Sequence, residues 1–416
     1  MNKRRMGVRL VLSEKMGKGK SDLENKLLRV PSRSRKHFSI NGDSLTVEVG
    51  NKTVRMEIRH AYSEDVTELT KQVKGGMISE EEASRTAFVT KATLARLSGK
   101  STGLYDKDCY ISNSVEELTI GADPEFALVE KGNRKFKYAS HVITHEGTLG
   151  SDGPLAEVRP PPERDASKLV KSIKKILKVG VPYVYDYDWY TGATYRSPNH
   201  PNTRVVHIGG HIHIGDPKQL PSANKSAVYE RIIRVLDETI AVPLVRIDSP
   251  EPALRRNTEH NGYGRYGRWG DQRPQEGRFE WRVPSGLWLA HPEIAEAVLG
   301  TTKAVSETCY QLMADNQFNF DWISARADRK GFLKKWGAMN ANIAKKIINE
   351  SNPKAVEAAI INRAETKLKS MENYSKYKSQ IDTFLKLVRL SDKDRSSLNL
   401  DMKKNWINRG KFVSKG

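Results

Sequence analysis

Four short stretches of the chain alternate apolar and ionisable residues with the two-residue period of a half-buried strand. In residues 120–129, Asp123 and Glu125 fall on one face and Ala122, Phe126 and Leu128 on the other. In 155–160, Glu157 and Arg159 stand opposite Ala156 and Val158. His207, His211 and His213 share a face in 206–215, with Ile208, Ile212 and Ile214 behind them. Arg278, Glu280 and Arg282 do the same in 277–284, backed by Phe279, Trp281 and Val283. Laid side by side, the four strands would present one polar floor above an apolar core. An ordinary solvated sheet face favours Thr, Lys, Ser and Gln, whereas this one is built from Asp, Glu, His and Arg.

The remaining pattern places elements on both sides of this block. Residues 8–12 read as one short strand, and the rest of 1–36 as a basic arm without apolar periodicity. Residues 38–40 and 45–49 make a hairpin about Asn41-Gly42-Asp43, and 53–58 add a third strand. A helix is predicted over 79–98, capped by Ser79, with Glu80 to Glu82 at its positive end and Gly99 as its stop. Pro160 to Pro162 end the Glu157 strand. Asp165 or Ser167 then caps a helix with Leu169, Ile173, Ile176 and Leu177 on one side. The aromatic stretch 183–204 reads either as a strand packed under a loop or as a wall for a substrate. Further amphipathic helices are predicted over 222–241, 294–313, 354–368 and 381–390.

The domain division that follows is a basic arm (1–36), a small α+β domain (37–117), a catalytic domain (118–300) and a basic helical C-terminal region (301–416). No apolar run reaches the roughly 20 residues that a membrane span needs, and the basic start is not followed by a signal-type apolar core. A cytoplasmic protein is expected. Two cysteines, Cys109 and Cys309, are too few for a disulfide framework. Residues 1–40 carry 12 Lys and Arg against 3 Asp and Glu, and 301–416 carry 23 against 12, so the two ends account for the whole net charge of +20. A neutral middle suits a small-substrate enzyme; basic ends suit contact with nucleic acid or simply a solvated surface.

Neighbouring carboxylates such as Asp123 and Glu125 repel unless a cation sits between them. Carboxylate and imidazole together suit Mg²⁺ or Mn²⁺, and arginines on the same floor suit phosphate oxygens. The chain has no P-loop and no dinucleotide fingerprint, so phosphate handling falls to metal and arginine. Between the histidine and Arg-Glu-Arg strands, residues 255–273 hold five arginines, including Arg265 and Arg268, and four glycines. Such a loop can fold over a triphosphate.

These strands resemble those of the glutamine-synthetase-like carboxylate-amine ligases, and most of all the phage-type COOH-NH2 ligase type 2 group. Asp123-Pro124-Glu125-Phe126 resembles the superfamily's Glu-x-Glu-Phe metal strand, with Asp for the first Glu. Gly209-Gly210-His211-Ile212-His213 is similar to its Gly-x-x-His-x-His strand, and Arg278-Phe279-Glu280-Trp281-Arg282 to its Arg-x-Glu-x-Arg strand. The segment from Asp152-Gly153 to Arg159-Pro160 resembles the phage group's second metal strand.

The likeness spans about residues 118–300. It implies an α+β fold with an antiparallel sheet whose polar face binds metal, together with a small N-terminal α+β domain and a helical C-terminal region. It further implies an ATP-dependent ligase that activates a carboxylate as an acyl phosphate and joins it to an amine. Asp123, His211 and Glu280 would hold one Mg²⁺ or Mn²⁺ at the nucleotide phosphates, and Glu125 and Glu157 a second near the reacting carboxylate. Arg265, Arg268, Arg278 and Arg282 would stabilise phosphate or the transferring group, and His213 would contact cofactor or substrate or serve as a hydrogen-bonded structural residue. The superfamily usually has more carboxylates at the second metal; here only Glu146 or Asp152 is placed to supply one. Relatives that share a site between subunits leave room for a homo-oligomer. The competing reading is a non-catalytic nucleic-acid-binding or virion-associated protein that keeps the fold.

Overall fold

The computed structural model describes residues 5–13, 27–37, 44–49, 52–90, 93, 109–112, 118–144, 147–198, 205–217, 225–248, 266–314, 337–391, 394, 398 and 400–408. The chain divides into two compact units, the first chiefly Met1–Glu116 and the second chiefly Glu117–Asp216, Ser226–Cys309 and Arg329–Gly416.

The first unit holds strands β1 (Arg5–Gly7), β2 (Arg9–Leu12), β3 (Leu27–Val30), β4 (Ser44–Val49), β5 (Lys52–His60), β6 (Thr86–Val89) and β7 (Cys109–Ser112). They form one seven-stranded sheet in the order β1-β7-β4-β5-β3-β6-β2. Two expectations change here. The basic arm contains β1, β2, β3 and the helix Ser32–His37, with Leu10, Leu28 and Val30 fully buried. These strands are only three or four residues long, and β2 and β3 pair in parallel with β6 and β5, far along the chain. No local pattern announces such pairing.

The helix expected over 79–98 is also shorter. Ser79 caps it in a capping box with Glu82, but the helix ends at Ser84 and the chain turns into β6. The buried run Thr86-Ala87-Phe88-Val89 favours a strand between β2 and β3 over another helical turn. Residues 94–98, the strand expected at 38–40 and the turn Asn41-Gly42-Asp43 lie outside the described residues. The hairpin that is described joins β4 to β5, from Ser44 opposite Glu57 to Val49 opposite Lys52.

The second unit holds β8 (Ile120–Glu130), β9 (Phe136–Lys137), β10 (Leu149–Asp152), β11 (Leu155–Val158), β12 (Tyr187–Tyr190), β13 (Thr194–Tyr195), β14 (Val206–His207), β15 (Gly210–Gly215), β16 (Gln272–Gln275) and β17 (Arg278–Trp281). The main sheet is antiparallel, with β8 central in the order β10-β11-β8-β15-β17-β16 and with β9 and β12 on the far half of β8. The fold is thus α+β with an antiparallel sheet, as expected.

Its apolar back is covered by helices. Ala166–Val184, capped by Asp165, packs on β8, β10 and β11 with Leu169, Ile173 and Leu177 buried. Lys225–Leu236 sets Tyr229 against Phe279, ring centroids 4.6 Å apart. Its π-helical continuation Asp237–Ala241 accepts the Trp281 indole N–H on Asp237 at 2.8 Å. The helices Pro292–Ala314, Ala341–Glu350, Ala358–Lys369, Tyr374–Val388 and Met402–Asn408 follow. The first crosses the boundary expected at 300/301, and most of the C-terminal helices cluster with the sheet. Among the described residues no helix is long and apolar enough to cross a membrane.

Part of the aromatic stretch packs as a strand, while Tyr183 and Tyr185 are exposed. Tyr187–Tyr190 is β12, and Tyr195 lies in a buried cluster with Ala127, Val129, Leu155, Val206 and Ile208.

Within the C-terminal helices Lys303, 1% exposed, donates to Glu307 at 2.5 Å and to the Tyr377 hydroxyl at 2.9 Å. Glu307 also accepts from the Tyr377 hydroxyl at 2.8 Å, with Lys376 3.4 Å away, so losing Lys303 removes one charge-assisted bond rather than every partner. Lys303→Ala is expected to lower stability by about 1.5–3 kcal/mol, read as a shift of the denaturant midpoint at unchanged slope.

Candidate active site

Strand register decides which side chains meet. On β8 the period of two puts Asp123 and Glu125 on one face, and each strand beside it supplies partners directly opposite. On one side Glu157 of β11 stands across from Glu125. On the other His211 of β15 stands across from Asp123, and His213 from Gly121. One strand further, Glu280 of β17 lies opposite His213, and Arg273 of β16 opposite Glu280.

The first cluster is Asp123, His211, His213 and Glu280. His211 Nδ1 lies 3.4 Å from Asp123 Oδ1 and 3.2 Å from Glu280 Oε1, and His213 Nε2 lies 3.1 Å from Asp123 Oδ2. Glu280 is fully buried. Arg273 donates to its Oε2 at 2.6 Å and Gln275 at 3.1 Å, while Arg282 Nε sits 3.3 Å from Oε1. Burial works against the Asp123 charge, but the two imidazoles overcome it and hold the carboxyl well below the usual range.

The second cluster is Glu125, Asp152 and Glu157, whose carboxylate oxygens approach within 4.8 Å of one another. Glu125 accepts the Gly209 backbone N–H at 2.5 Å, and Arg159 pairs with Glu157. Burial first, then the negative charge of Asp123, pushes the Glu157 carboxyl up to about 7 against the pull of Arg159.

Both clusters fit a divalent cation. Asp123, His213 and Glu280 each bring a ligand atom within 4.8 Å of the others. Asp123 Oδ1, His213 Nε2 and Glu280 Oε1 are buried without a well-formed hydrogen bond, although each lies within 3.4 Å of an oppositely polar atom. Buried polar atoms left this way are costly, and a cation among them removes the cost.

The close approach depends on glycine. A Cβ at Gly209 would overlap the Tyr266 hydroxyl and His211 Nε2, and one at Gly210 the Ser285 carbonyl and the Trp288 indole nitrogen.

The structure thus brings together Asp123, His211, His213 and Glu280, with Arg282 beside them, and Glu125 with Glu157. Asp152 joins the second pair, and Glu146 lies outside the described residues. His213, expected at cofactor or substrate, stands among the carboxylates of the first cluster. His207 does not share the floor. It belongs to β14, which pairs with β13 in a separate two-stranded sheet, because the chain breaks register at Ile208-Gly209. Arg278 is exposed at the start of β17 and bonds Gln275. Arg268 lines an open pocket of about 490 Å³ with Trp269, Lys345 and Asn349, and no residue of either cluster lines it. Arg265 lies outside the described residues.

Two residues escaped the sequence reading. Arg273 was counted only as part of an arginine-rich loop. The two-residue turn Glu276-Gly277, with Gly277 at φ 69°, fixes the β16–β17 register and so places Arg273 on Glu280. Tyr266 comes from the loop itself, where no period signals its direction.

Because a carboxylate must lose its proton to bind metal, Mn²⁺ affinity is expected to fall about tenfold per pH unit below 7, as Glu157 takes up a proton, and to level off above. The metal-free protein carries the opposite slope. Folded Glu157 keeps its proton to about 7, while unfolded Glu157 releases it near the ordinary 4.5, so stability falls as pH rises between them. Melting curves with and without Mg²⁺ over pH 5 to 8, beside Mn²⁺ titrations, check both.

No curated protein sequence matches the chain. A solved structure described as the complex between prokaryotic ubiquitin-like protein Pup and its ligase PafA is similar at 12% identity and a TM-score of 0.42, over 72% of this chain and 71% of that one. The model of the family described as phage phiEco32-like COOH.NH2 ligase-type 2 matches residues 120–357, more than half of the chain and all of the strands that carry the two acidic clusters. The protein belongs to that carboxylate-amine ligase family.

Proposed function

We propose that the chain is an ATP-dependent ligase that joins a carboxylic acid to an amine through an acyl phosphate, acting in the cytoplasm. The observation that carries this reading is a single strand, β8, holding one carboxylate in each of two acidic clusters, with buried ligand atoms that lack a well-formed hydrogen bond in the first.

Asp123 and Glu280, with His211 and His213, would hold one divalent cation; Glu125, Glu157 and Asp152 would hold the second. Such ions neutralise charge on the phosphates and on the acid. A carboxylate is a poor electrophile at neutral pH. Its oxygen takes the γ-phosphoryl group of ATP with release of ADP, and the amine nitrogen then attacks the acyl carbon, expelling phosphate and giving up a proton as the amide forms. Arg278, exposed at the start of β17, and Arg282, beside Glu280, would steady phosphate or substrate carboxylate by bidentate pairing. Buried Glu280, gripped by Arg273, fixes the geometry beneath them. Family membership supports the bond type, and the chemistry of the two clusters supports metal and nucleotide.

The test is ADP release by the purified protein with ATP and Mg²⁺, screened against pools of carboxylates and amines. Release that requires both pools is expected. Glu280→Ala should lower it below about one hundredth of wild type while the protein still folds, since the variant loses a ligand and unpairs Arg273. Failure of ATP with Mg²⁺ to bind at all would remove the ligase reading.

A further inference from the structure

We propose that Tyr266 is a positioning residue that presents His211 to a cation through Nδ1 and ties the first acidic cluster to the second. The inference rests on the metal reading given above.

A histidine ligand uses one ring nitrogen while an outer partner holds the proton on the other. His211 Nδ1 is the nitrogen that faces carboxylates, 3.4 Å from Asp123 Oδ1 and 3.2 Å from Glu280 Oε1. Nε2 faces the Tyr266 hydroxyl at 2.6 Å. If Nδ1 is to offer a lone pair, the ring proton must sit on Nε2, and the phenol oxygen must accept it. The hydroxyl proton then needs an acceptor of its own. Glu125, of the second cluster, provides one, with oxygens 3.3 and 3.4 Å away and no proton to give in its ionised form.

The order His211 Nε2–H to Tyr266, Tyr266 O–H to Glu125, therefore opens Nδ1 to a cation. The reverse order, with Tyr266 donating to Nε2, puts the proton on Nδ1 against the carboxylates and closes it. A hydroxyl serves either order because it both donates and accepts, so the change costs a shift of tautomer and no hydrogen bond to His211.

The ring is held for this role. It meets the His211 imidazole edge-on, centroids 5.2 Å apart at 80°, and the Arg282 guanidinium lies over it at 4.8 Å. Gly209 leaves the space in which the hydroxyl and Nε2 meet.

The test compares full-length wild type with Tyr266→Phe by Mn²⁺ titration, reading free Mn²⁺ by EPR without nucleotide, with melting of the metal-free proteins as the control for folding. Tyr266→Phe should bind Mn²⁺ about 10–100-fold more weakly and still melt cooperatively. On wild type alone, ¹⁵N-histidine NMR with saturating Mg²⁺ should report His211 protonated at Nε2. Equal Mn²⁺ affinity in the two proteins, or a proton retained on Nδ1 with Mg²⁺ bound, overturns the inference alone; the second outcome would leave His213 as the imidazole ligand. If wild type binds no Mn²⁺, the metal reading falls with it. Should Tyr266→Phe fail to fold, the NMR measurement on wild type decides.

Discussion

The site depends on one constraint: the register of β8 between β11 and β15 sets like charge against like charge. Glu125 faces Glu157 directly across an antiparallel pair, an arrangement that costs stability by itself. Asp123, two residues away on the same face, adds its charge. A one-residue slip would send these carboxylates into the apolar back and Phe126 onto the polar face, so the pairing that buries Phe126 also enforces the repulsion. The fold holds the clash in place, and a cation bound between the carboxylates would relieve it.

The two clusters carry this strain differently. Around Glu280, Arg273 and Arg282 supply positive charge from the protein, and the two histidine rings stand within 3.4 Å of Asp123. Around Glu157, Arg159 faces three carboxylates, and the Glu157 carboxyl rises to about 7. The first cluster is therefore preorganised with its charges largely matched. The second needs a cation more, and its exposed member, Asp152, gives it an open side.

Much of the site was legible because strands write their faces into sequence. The alternation placed Asp123, Glu125, Glu157, His211, His213 and Glu280 on one floor, and the structure brings them there. Alternation cannot report where a strand ends, which is why His207 was grouped with its neighbours although the chain leaves register at Gly209. Nor does it report direction in a loop, so Tyr266 was invisible, as was the pocket that Arg268 lines beside Lys345, away from both clusters. The first unit was harder to read. Its short strands pair in parallel across long separations, and capping chemistry at Ser79 announced a helix start without its early end at Ser84. Of the C-terminal helices, Pro292–Ala314 and Ala358–Lys369 were read near their observed positions from the 3.6-residue period, Tyr374–Val388 only over its second half, and the short Ala341–Glu350 and Met402–Asn408 not at all.

The central claim is that the two acidic clusters are a paired metal centre. A crystal of the protein grown with Mn²⁺ and measured near the manganese absorption edge tests it most directly. Two anomalous peaks are expected, one among Asp123, His211 and Glu280 and one among Glu125, Asp152 and Glu157. Peaks at other sites only, or none with Mn²⁺ in large excess at pH 8, would contradict it.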